Sequence, residues 1–251
     1  MGKAREPIFN VPAVVVAVLA ALVLVHVVRV YILSDEADRL FVWYFAFVPA
    51  RYEWSELLAS GWEYGWALWT FVTYAFLHAD ITHLGFNAVW LVAFGTAVAR
   101  RFGNARFLAF FVLTAVAGAL AHLITHTGDL APMIGVSASI SGAMGAAARF
   151  AFQHGGPIDR WRIEGEDPYR IPAEPLFVAL RDPRVIGFVG AWFALNLLFG
   201  LGSLSIVGDD QSVAWQAHVG GFLAGLLLFS WFDPVGPEVD VGEDESTSIV
   251  P

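Results

Sequence analysis

The sequence of 251 residues contains no cysteine. This absence excludes a disulfide framework, a thiolate metal site and a cysteine nucleophile. Charge is also scarce, because Asp, Glu, Lys and Arg together make up 15% of the chain, against about 25% in ordinary soluble domains. The 14 Lys and Arg residues form no stripe that could follow a phosphate backbone. Nucleic acid is therefore not an expected partner.

Apolar residues, by contrast, make up 57% of the chain, and the mean hydropathy is +0.63. This composition excludes both an ordinary soluble enzyme and a disordered chain. A helical span needs about 20 largely apolar residues, so the chain has room for several spans and little else. The sequence therefore predicts an all-α polytopic membrane protein.

Six apolar runs are long enough to form membrane helices. They lie at residues 11–33, 81–99, 107–124, 135–152, 185–201 and 213–232. The first run lacks a small-x-small cleavage site and is too long for the core of a signal peptide, so we expect a retained helix. These runs predict a six-helix membrane domain at 11–232, between a short cytoplasmic N-terminus at 1–10 and a tail at 233–251.

The distribution of Lys and Arg predicts the orientation of this domain. With the N-terminus in the cytoplasm, eleven basic residues lie inside and three lie outside. Because basic residues concentrate in cytoplasmic loops, we expect both termini in the cytoplasm. The sequence shows no recognisable organelle signal, so we expect the domain in a plasma membrane.

Three segments between and after these runs have their own character. The segment 34–80 is rich in Trp and Tyr, so we expect it in the outer interface, partly as an amphipathic helix. The segment 153–184 carries five prolines among its charges, which favours a cytoplasmic connector. Six acidic residues from Asp233 onward stand without Lys or Arg, which predicts a solvated tail.

Three polar clusters lie in or beside the apolar runs, where such side chains are costly and mark functional candidates. The first contains His78, His83 and Asn87, the second is the serine-rich stretch 135–142, and the third includes His218. His83 and Asn87 share a helix face, because they are four residues apart. All three clusters begin helices that run inward from the outer side, so we expect them at a similar depth.

A serine, a histidine and a set of imidazole and amide donors at one depth are the parts of a serine hydrolase. Small residues recur every four positions within two of the predicted helices. They are Ser137, Ser141 and Gly145 in one helix and Gly221 and Gly225 in the other. Small residues let membrane helices approach closely. Close approach here would allow a direct hydrogen bond between Ser137 and His218.

Each of these residues also has an ordinary structural interpretation. A serine in a membrane helix usually bonds to its own backbone, and a lone buried histidine is usually structural. The prediction therefore depends on the three clusters occurring together. His122 and His126 are four residues apart and could bind a metal, but we expect them in a solvated interface.

At these residues the sequence resembles the rhomboid family of intramembrane serine proteases, over roughly residues 10–232. The family spacing of His, four residues, His, three residues and Asn is matched by His78, His83 and Asn87. The family segments around the serine and the base are matched by Gly135-Val136-Ser137 with Gly145 and by Ala217, His218 and Gly221. The stretch 192–200, which contains Asn196, is also similar to the family.

The resemblance implies a serine endopeptidase that cleaves other membrane proteins in or near their spans, in the lipid bilayer and without ATP, cofactor or metal. Ser137 would attack the scissile carbonyl and His218 would accept its proton. His83 and Asn87, with the Ser137 backbone N–H, would hold the oxyanion, and His78 would brace the site. With no acidic third partner, we expect packing to orient His218. The oligomeric state stays open.

Two positions depart from the family pattern. Ala138 stands where the family has glycine after its serine, and Thr70 stands where an arginine commonly follows tryptophan. A second register makes Ser141 the nucleophile, because Ser141 and Gly142 restore the Ser-Gly pair. We prefer Ser137, because Gly145 then keeps the family spacing.

Two other functions remain open at this point. The departures at Ala138 and Thr70 would suit a catalytically inactive rhomboid-like protein that binds membrane clients, although the retained serine and histidines argue against it. The second is a haem or metal membrane protein that uses His78, His83, His122 and His126. Against it, His78 and His83 are five residues apart and do not share a helix face.

Overall fold

The computed structural model describes residues 11–53, 65–159, 167–200 and 213–236. Within these ranges the regular elements are helical, and the only extended pairing is an isolated antiparallel bridge between Phe47 and Met133. The predicted N-terminus at 1–10 and most of the predicted tail lie outside the described residues.

Seven longer helices occur in the described ranges. They are α1 (Ala13–Val27, continued by a π-helical turn at Val28–Ile32), α2 (Asp35–Phe45), α3 (Ile81–Trp90, continued through a π-helical turn at Leu91–Gly95 into Thr96–Phe102), α4 (Asn104–Thr125), α5 (Ser137–Ala147), α6 (Pro183–Gly200) and α7 (Trp215–Phe232). Short helical turns lie at Pro49–Tyr52, Gly65–Trp69, Thr70–Thr73, Tyr74–Phe76 and Leu176–Ala179. Each of the six predicted apolar runs overlaps one of the longer helices.

Among the described residues, three helices are long and apolar enough to cross a membrane: α1 with its π turn, α3 and α4. The count of six spans stays a prediction for α5, α6 and α7. The predicted run at 135–152 is longer than the observed helix, because α5 has 11 residues. At about 1.5 Å per residue it is roughly 16 Å long, against a hydrocarbon core of about 30 Å.

The short α5 lies inside the bundle, because every residue from 138 to 147 is buried. The chain that leads into it is held by backbone hydrogen bonds. Phe47 and Met133 exchange two of them, and the Gly135 N–H donates to the Tyr74 carbonyl at 3.0 Å. Helix α5 therefore starts, at Ser137, directly after a segment whose backbone is hydrogen-bonded to Phe47 and to Tyr74.

The backbones of α5 and α7 touch at three glycines. A Cβ placed on Gly221 would meet the Ala138 carbonyl oxygen, one on Gly225 would meet the Gly142 carbonyl oxygen, and one on Gly145 would meet the Phe222 carbonyl oxygen. We call Gly145, Gly221 and Gly225 the glycine interface. Only glycine fits these positions, as is typical of close helix pairs in membranes.

The predicted close approach of these helices is present, but the face of α5 differs from the expected one. We expected Ser137, Ser141 and Gly145 to form it, whereas the close backbone contacts with α7 are made at Ala138, Gly142 and Gly145. The first two positions are one residue off, because the sequence alone does not fix how a helix is rotated against its neighbour.

An ion pair joins the ends of α3 and α7. Arg101 is fully buried, and its guanidinium donates to both carboxylate oxygens of Asp233 at 2.9 and 2.8 Å. It also donates to the main-chain oxygens of Tyr169 and Ile171. The prediction of a solvated tail is therefore wrong for Asp233, because a buried guanidinium requires an opposite charge in contact with it.

The segment before α3 contains α2, which begins at a capping residue. The Ser34 hydroxyl accepts from the Ala37 N–H at 3.3 Å, and three acidic residues occupy the first turn. Arg29 of α1 binds the Asp38 carboxylate through two hydrogen bonds of 2.7 and 3.2 Å. The same guanidinium donates to the His78 carbonyl at 3.0 Å, so α1, α2 and the start of α3 are tied together.

A second arginine holds the chain after α2. Arg51 donates to the carbonyls of Ala46 and Trp43, and its guanidinium lies 4.2 Å from the centre of the Trp43 ring. Thr70 is fully buried and donates to the Ala67 carbonyl at 2.8 Å. Arg51 therefore holds this part of the chain, although position 70 is threonine and not the arginine that is common in the family.

Candidate active site

Ser137 and His218 lie in the first turns of α5 and α7, where the glycine interface brings the two backbones together. The Ser137 Oγ is 2.7 Å from the His218 Nε2. Both residues are partly exposed. Ser141 lies one turn further along α5 and is buried, and the serine hydrogen-bonded to His218 is Ser137.

The other ring nitrogen of His218 faces α6. Its Nδ1 is 2.6 Å from the Asn196 Oδ1, and the Asn196 Nδ2 donates to the Trp192 carbonyl at 2.8 Å. The expectation that packing alone orients His218 is therefore wrong. Sequence reasoning noted Asn196 only within a family-like stretch. The available signal was a polar residue in an apolar run, which is costly unless it has a partner.

Two donors of α3 converge on the chain just before Ser137. A Cβ placed on Gly135 would lie 2.9 Å from the His83 Nε2 and 3.8 Å from the Asn87 Nδ2. Gly135 also has a φ of +118°, so glycine is required there both for its conformation and for the space it leaves. The imidazole and the amide therefore lie over the backbone two residues before the serine.

Asp80 fixes the start of α3, on which these donors stand. Its carboxylate accepts from the His83 N–H at 2.8 Å, as a helix-capping residue does. Sequence reasoning missed this residue, although an Asp three positions before His83 is a recognisable capping signal.

Asn87 carries a donor without a partner. Its Nδ2 is buried and makes no hydrogen bond to any described residue. Buried polar groups are nearly always paired, so an unpaired one requires an explanation. This amide is available to an oxygen atom of a ligand bound beside Ser137.

His78 lies behind His83. Its side chain is fully buried, and the two rings meet edge to face with their centres 5.0 Å apart. The His78 carbonyl accepts from Arg29, which fixes the backbone that carries the ring. His78 therefore packs against His83 from the segment that precedes α3.

The methyl group of Ala138, which replaces the family glycine, packs toward α4. A Cβ placed on Gly118 would lie 2.5 Å from the Ala138 Cβ. Ala138 belongs to a buried cluster with Tyr74 and Ala115, whereas the converging donors come from α3. The missing side chain at Gly118 makes the room for this methyl group.

The histidines outside this site show no metal-binding arrangement in the described ranges. Those ranges contain no group of three or more His, Cys, Asp or Glu that could hold a metal ion. His122 is buried, and its ring stacks on that of His126 with 4.2 Å between the centres. The prediction of a solvated interface is therefore wrong for His122.

Comparison with known proteins identifies the family of this chain. The chain matches the family model described as Rhomboid domain over residues 65–232. Rhomboid protease GluP from Bacillus subtilis (strain 168) is 36% identical over 159 residues, which cover 63% of this chain and 25% of that protein. RHOMBOID-like protein 12, mitochondrial, from Arabidopsis thaliana is 41% identical over 167 residues, which cover 65% and 46% of the two chains.

Rhomboid protease GlpG from Enterobacter sp. (strain 638) is 26% identical over 178 residues, which cover 68% of this chain and 52% of that protein. The matched region thus spans between a quarter and about half of the length of these three relatives. The match to the family model covers more than half of the 251 residues. This chain therefore belongs to the rhomboid family of polytopic membrane proteins.

Proposed function

We propose that this chain is an intramembrane serine endopeptidase, which cleaves membrane proteins in or near their transmembrane segments. The observation that supports this function is the 2.7 Å contact between the Ser137 Oγ and the His218 Nε2. The unpaired amide of Asn87, which lies over Gly135 two residues before the serine, adds to the support. The relatives named as rhomboid proteases agree with it.

Ser137 and His218 form the reacting pair in this proposal. The Ser137 Oγ bonds to the scissile carbonyl carbon while the His218 Nε2 takes the hydroxyl proton. The protonated imidazole then gives this proton to the leaving amine as the C–N bond breaks, which leaves an acyl ester on Ser137. Water attacks the ester in the same way, with His218 again as the base, and the serine is restored.

The charge that develops on the carbonyl oxygen needs donors in fixed positions. We assign this role to His83, to the Asn87 amide and to the backbone N–H of Ser137, which belongs to the first turn of α5. The first four N–H groups of a helix have no partner within it. Loss of one such donor typically lowers kcat by about 10²- to 10³-fold. His78 keeps His83 in place.

The substrate class follows from the hydrogen bonds that peptide carbonyls make within a helix. In a membrane helix each carbonyl accepts an internal hydrogen bond, so the helix must unwind before Ser137 can attack it. Segments with small or helix-breaking residues near the cleavage site are therefore the preferred substrates. The chemistry uses neither ATP nor a metal ion.

We further propose a plasma membrane location with both termini in the cytoplasm. The excess of basic residues on one side of the six runs supports this orientation. Some relatives are named as mitochondrial proteins, so an organelle membrane is the other outcome. Because the chain has no cysteine, single introduced cysteines and an impermeant thiol reagent would report the side of each loop.

Cleavage of a panel of single-span reporter proteins by the reconstituted chain tests the protease function. We expect cleavage by the unmutated chain, none by Ser137→Ala or His218→Ala, and continued cleavage by Ser141→Ala. A serine-directed phosphonate should label the chain only while Ser137 is present. If the folded chain cleaves no reporter that a control protease cleaves, and is not labelled, the function is wrong and a client-binding protein takes its place.

A further inference from the structure

Three hydrogen bonds connect Ser137 to the backbone of α6 through His218 and Asn196. Their lengths are 2.7 Å from Ser137 Oγ to His218 Nε2, 2.6 Å from His218 Nδ1 to Asn196 Oδ1, and 2.8 Å from Asn196 Nδ2 to the Trp192 carbonyl. The contacts run in an unbroken series across three helices, α5, α7 and α6.

The Trp192 carbonyl oxygen, which ends the series, determines which atom donates and which accepts in each of the three hydrogen bonds. The Trp192 carbonyl can only accept, so the Asn196 amide nitrogen faces it and the amide oxygen faces His218. That oxygen can also only accept, so the His218 Nδ1 carries a proton. In the neutral ring the Nε2 then has a free lone pair and accepts from the Ser137 hydroxyl.

We propose that Asn196 is a positioning residue that selects the Nδ1-protonated tautomer of His218 and holds its ring toward Ser137. The proposal rests on the proposed function, because it describes how the base of that reaction is prepared. Asn196 acts through His218 and does not contact the reacting atoms. An amide does this without bringing a second charge into the bundle, where an unpaired carboxylate would be costly.

The contacts of Asn196 exceed what a purely structural role would need. A polar residue in an apolar helix can satisfy its donor on the carbonyl four residues earlier, as the Asn196 amide nitrogen does on Trp192. Its oxygen would then need no particular partner. Instead the side chain is largely buried and the oxygen lies at hydrogen-bond distance from the base.

The orientation of the base also depends on how α6 sits against α7. The Trp192 ring stacks on the Phe222 ring with 4.2 Å between the centres. This contact lies one turn from Asn196 on α6 and one turn from His218 on α7. It holds the two helices at the separation that the Asn196 to His218 hydrogen bond requires.

Nitrogen NMR of the full chain with ¹⁵N-labelled histidine tests the tautomer directly, at a pH where the imidazoles are neutral. The His218 signals are assigned by their loss in His218→Ala. We expect a protonated Nδ1 and an unprotonated Nε2 in the unmutated chain. Asn196→Leu should convert a large part of the signal to the other tautomer, whereas Leu195→Ala, an exposed position on the same helix, should change nothing.

Cleavage kinetics provide the second measurement. We expect Asn196→Leu to lower kcat by about 10²-fold with little change in KM, because the base is disordered while substrate binding is kept. Asn196→Asp should retain most of the activity, since a carboxyl group also offers an acceptor oxygen to the Nδ1. Leu195→Ala should match the unmutated chain.

The two measurements separate this proposal from the protease function. If Asn196→Leu leaves both the tautomer of His218 and kcat unchanged, the positioning role is wrong while the protease function stands. If Asn196→Asp is as impaired as Asn196→Leu in a folded chain, the acceptor oxygen is not what matters and the proposal is likewise overturned. If the unmutated chain cleaves nothing, the protease function fails, and the NMR result still decides what Asn196 does to His218.

Discussion

The last helix, α7, is held differently by its two neighbours. Against α5 it is held by backbone contact, because a methyl group at any position of the glycine interface would meet a carbonyl oxygen. Against α6 it is held by side chains, through the stacked rings of Trp192 and Phe222 and the hydrogen bond from His218 to Asn196. A Cβ placed on Gly200 of α6 would likewise meet a side chain of α7, that of Trp215.

The two kinds of contact determine different features of the site. The separation of Ser137 and His218 depends on two helices whose backbones cannot shift without losing contact. The rotation of the His218 ring depends on a side chain of a third helix, which is packed less closely. Position and orientation of the proposed base are thus set by separate parts of the molecule, and substitutions can disturb one without the other.

The largest effect is expected from Gly225→Ala. The new methyl group would meet the Gly142 carbonyl oxygen and force α5 and α7 apart. We expect the free energy of unfolding to fall by about 3 kcal/mol, at the upper end of ordinary overpacking, and cleavage to be lost. Unfolding in detergent micelles measures the first effect and reporter cleavage the second.

Gly190→Ala is the matched control for this substitution. It adds the same methyl group to an open position on α6, where replacing a helical glycine by alanine is expected to stabilise by about 0.5–1 kcal/mol. Equal loss of stability in both variants would show that the loss in Gly225→Ala does not come from the contact between α5 and α7.

A smaller effect is expected from Gly118→Ala on α4. Its methyl group would lie 2.5 Å from the Ala138 Cβ and 2.9 Å from the Ala217 carbonyl oxygen, which predicts a loss of about 1–3 kcal/mol. Adding Ala138→Gly should recover part of this loss, because it removes one of the two clashes. A double-mutant cycle measures the coupling, and strictly additive effects would show that the two groups do not meet.

The smallest effect on stability is expected from Trp192→Leu. Loss of the aromatic pair costs about 0.5–1.5 kcal/mol beyond the buried area. The rate of cleavage should fall more than this loss of stability accounts for, because α6 would no longer hold Asn196 at His218. Parallel measurements of melting temperature and kcat test this. If kcat falls only as much as the loss of folded protein explains, the contact between α6 and α7 has no role in orienting the base.

The positions of the helices could be predicted because hydropathy marks them directly. Each apolar run overlaps a helix, and the run at 135–152 exceeds α5 at both ends. A run of small apolar residues has the same composition whether it faces lipid or protein, so its helical length depends on tertiary packing that the sequence does not display. The same holds for the count of spans.

The meeting of Ser137 with His218 was predictable from the topology, because both begin helices that run in one direction. The face of α5 toward α7 was not, since helix rotation depends on packing with several neighbours at once. Asn196 was missed because its partner is 22 residues away on another helix. The ion pair of Asp233 is not predictable from its position in a run of acidic residues, because the sequence does not show that this one carboxylate is buried against Arg101.

The buried ion pair between Arg101 and Asp233 has a consequence for biosynthesis. Arg101 leaves the ribosome 132 residues before its partner. Until Asp233 follows, the guanidinium has no carboxylate at this place, and a buried charge without its partner is strongly destabilising. The end of α3 therefore acquires its final contacts only after α7 is made, and a chain truncated before Asp233 would lack the charge that compensates this arginine.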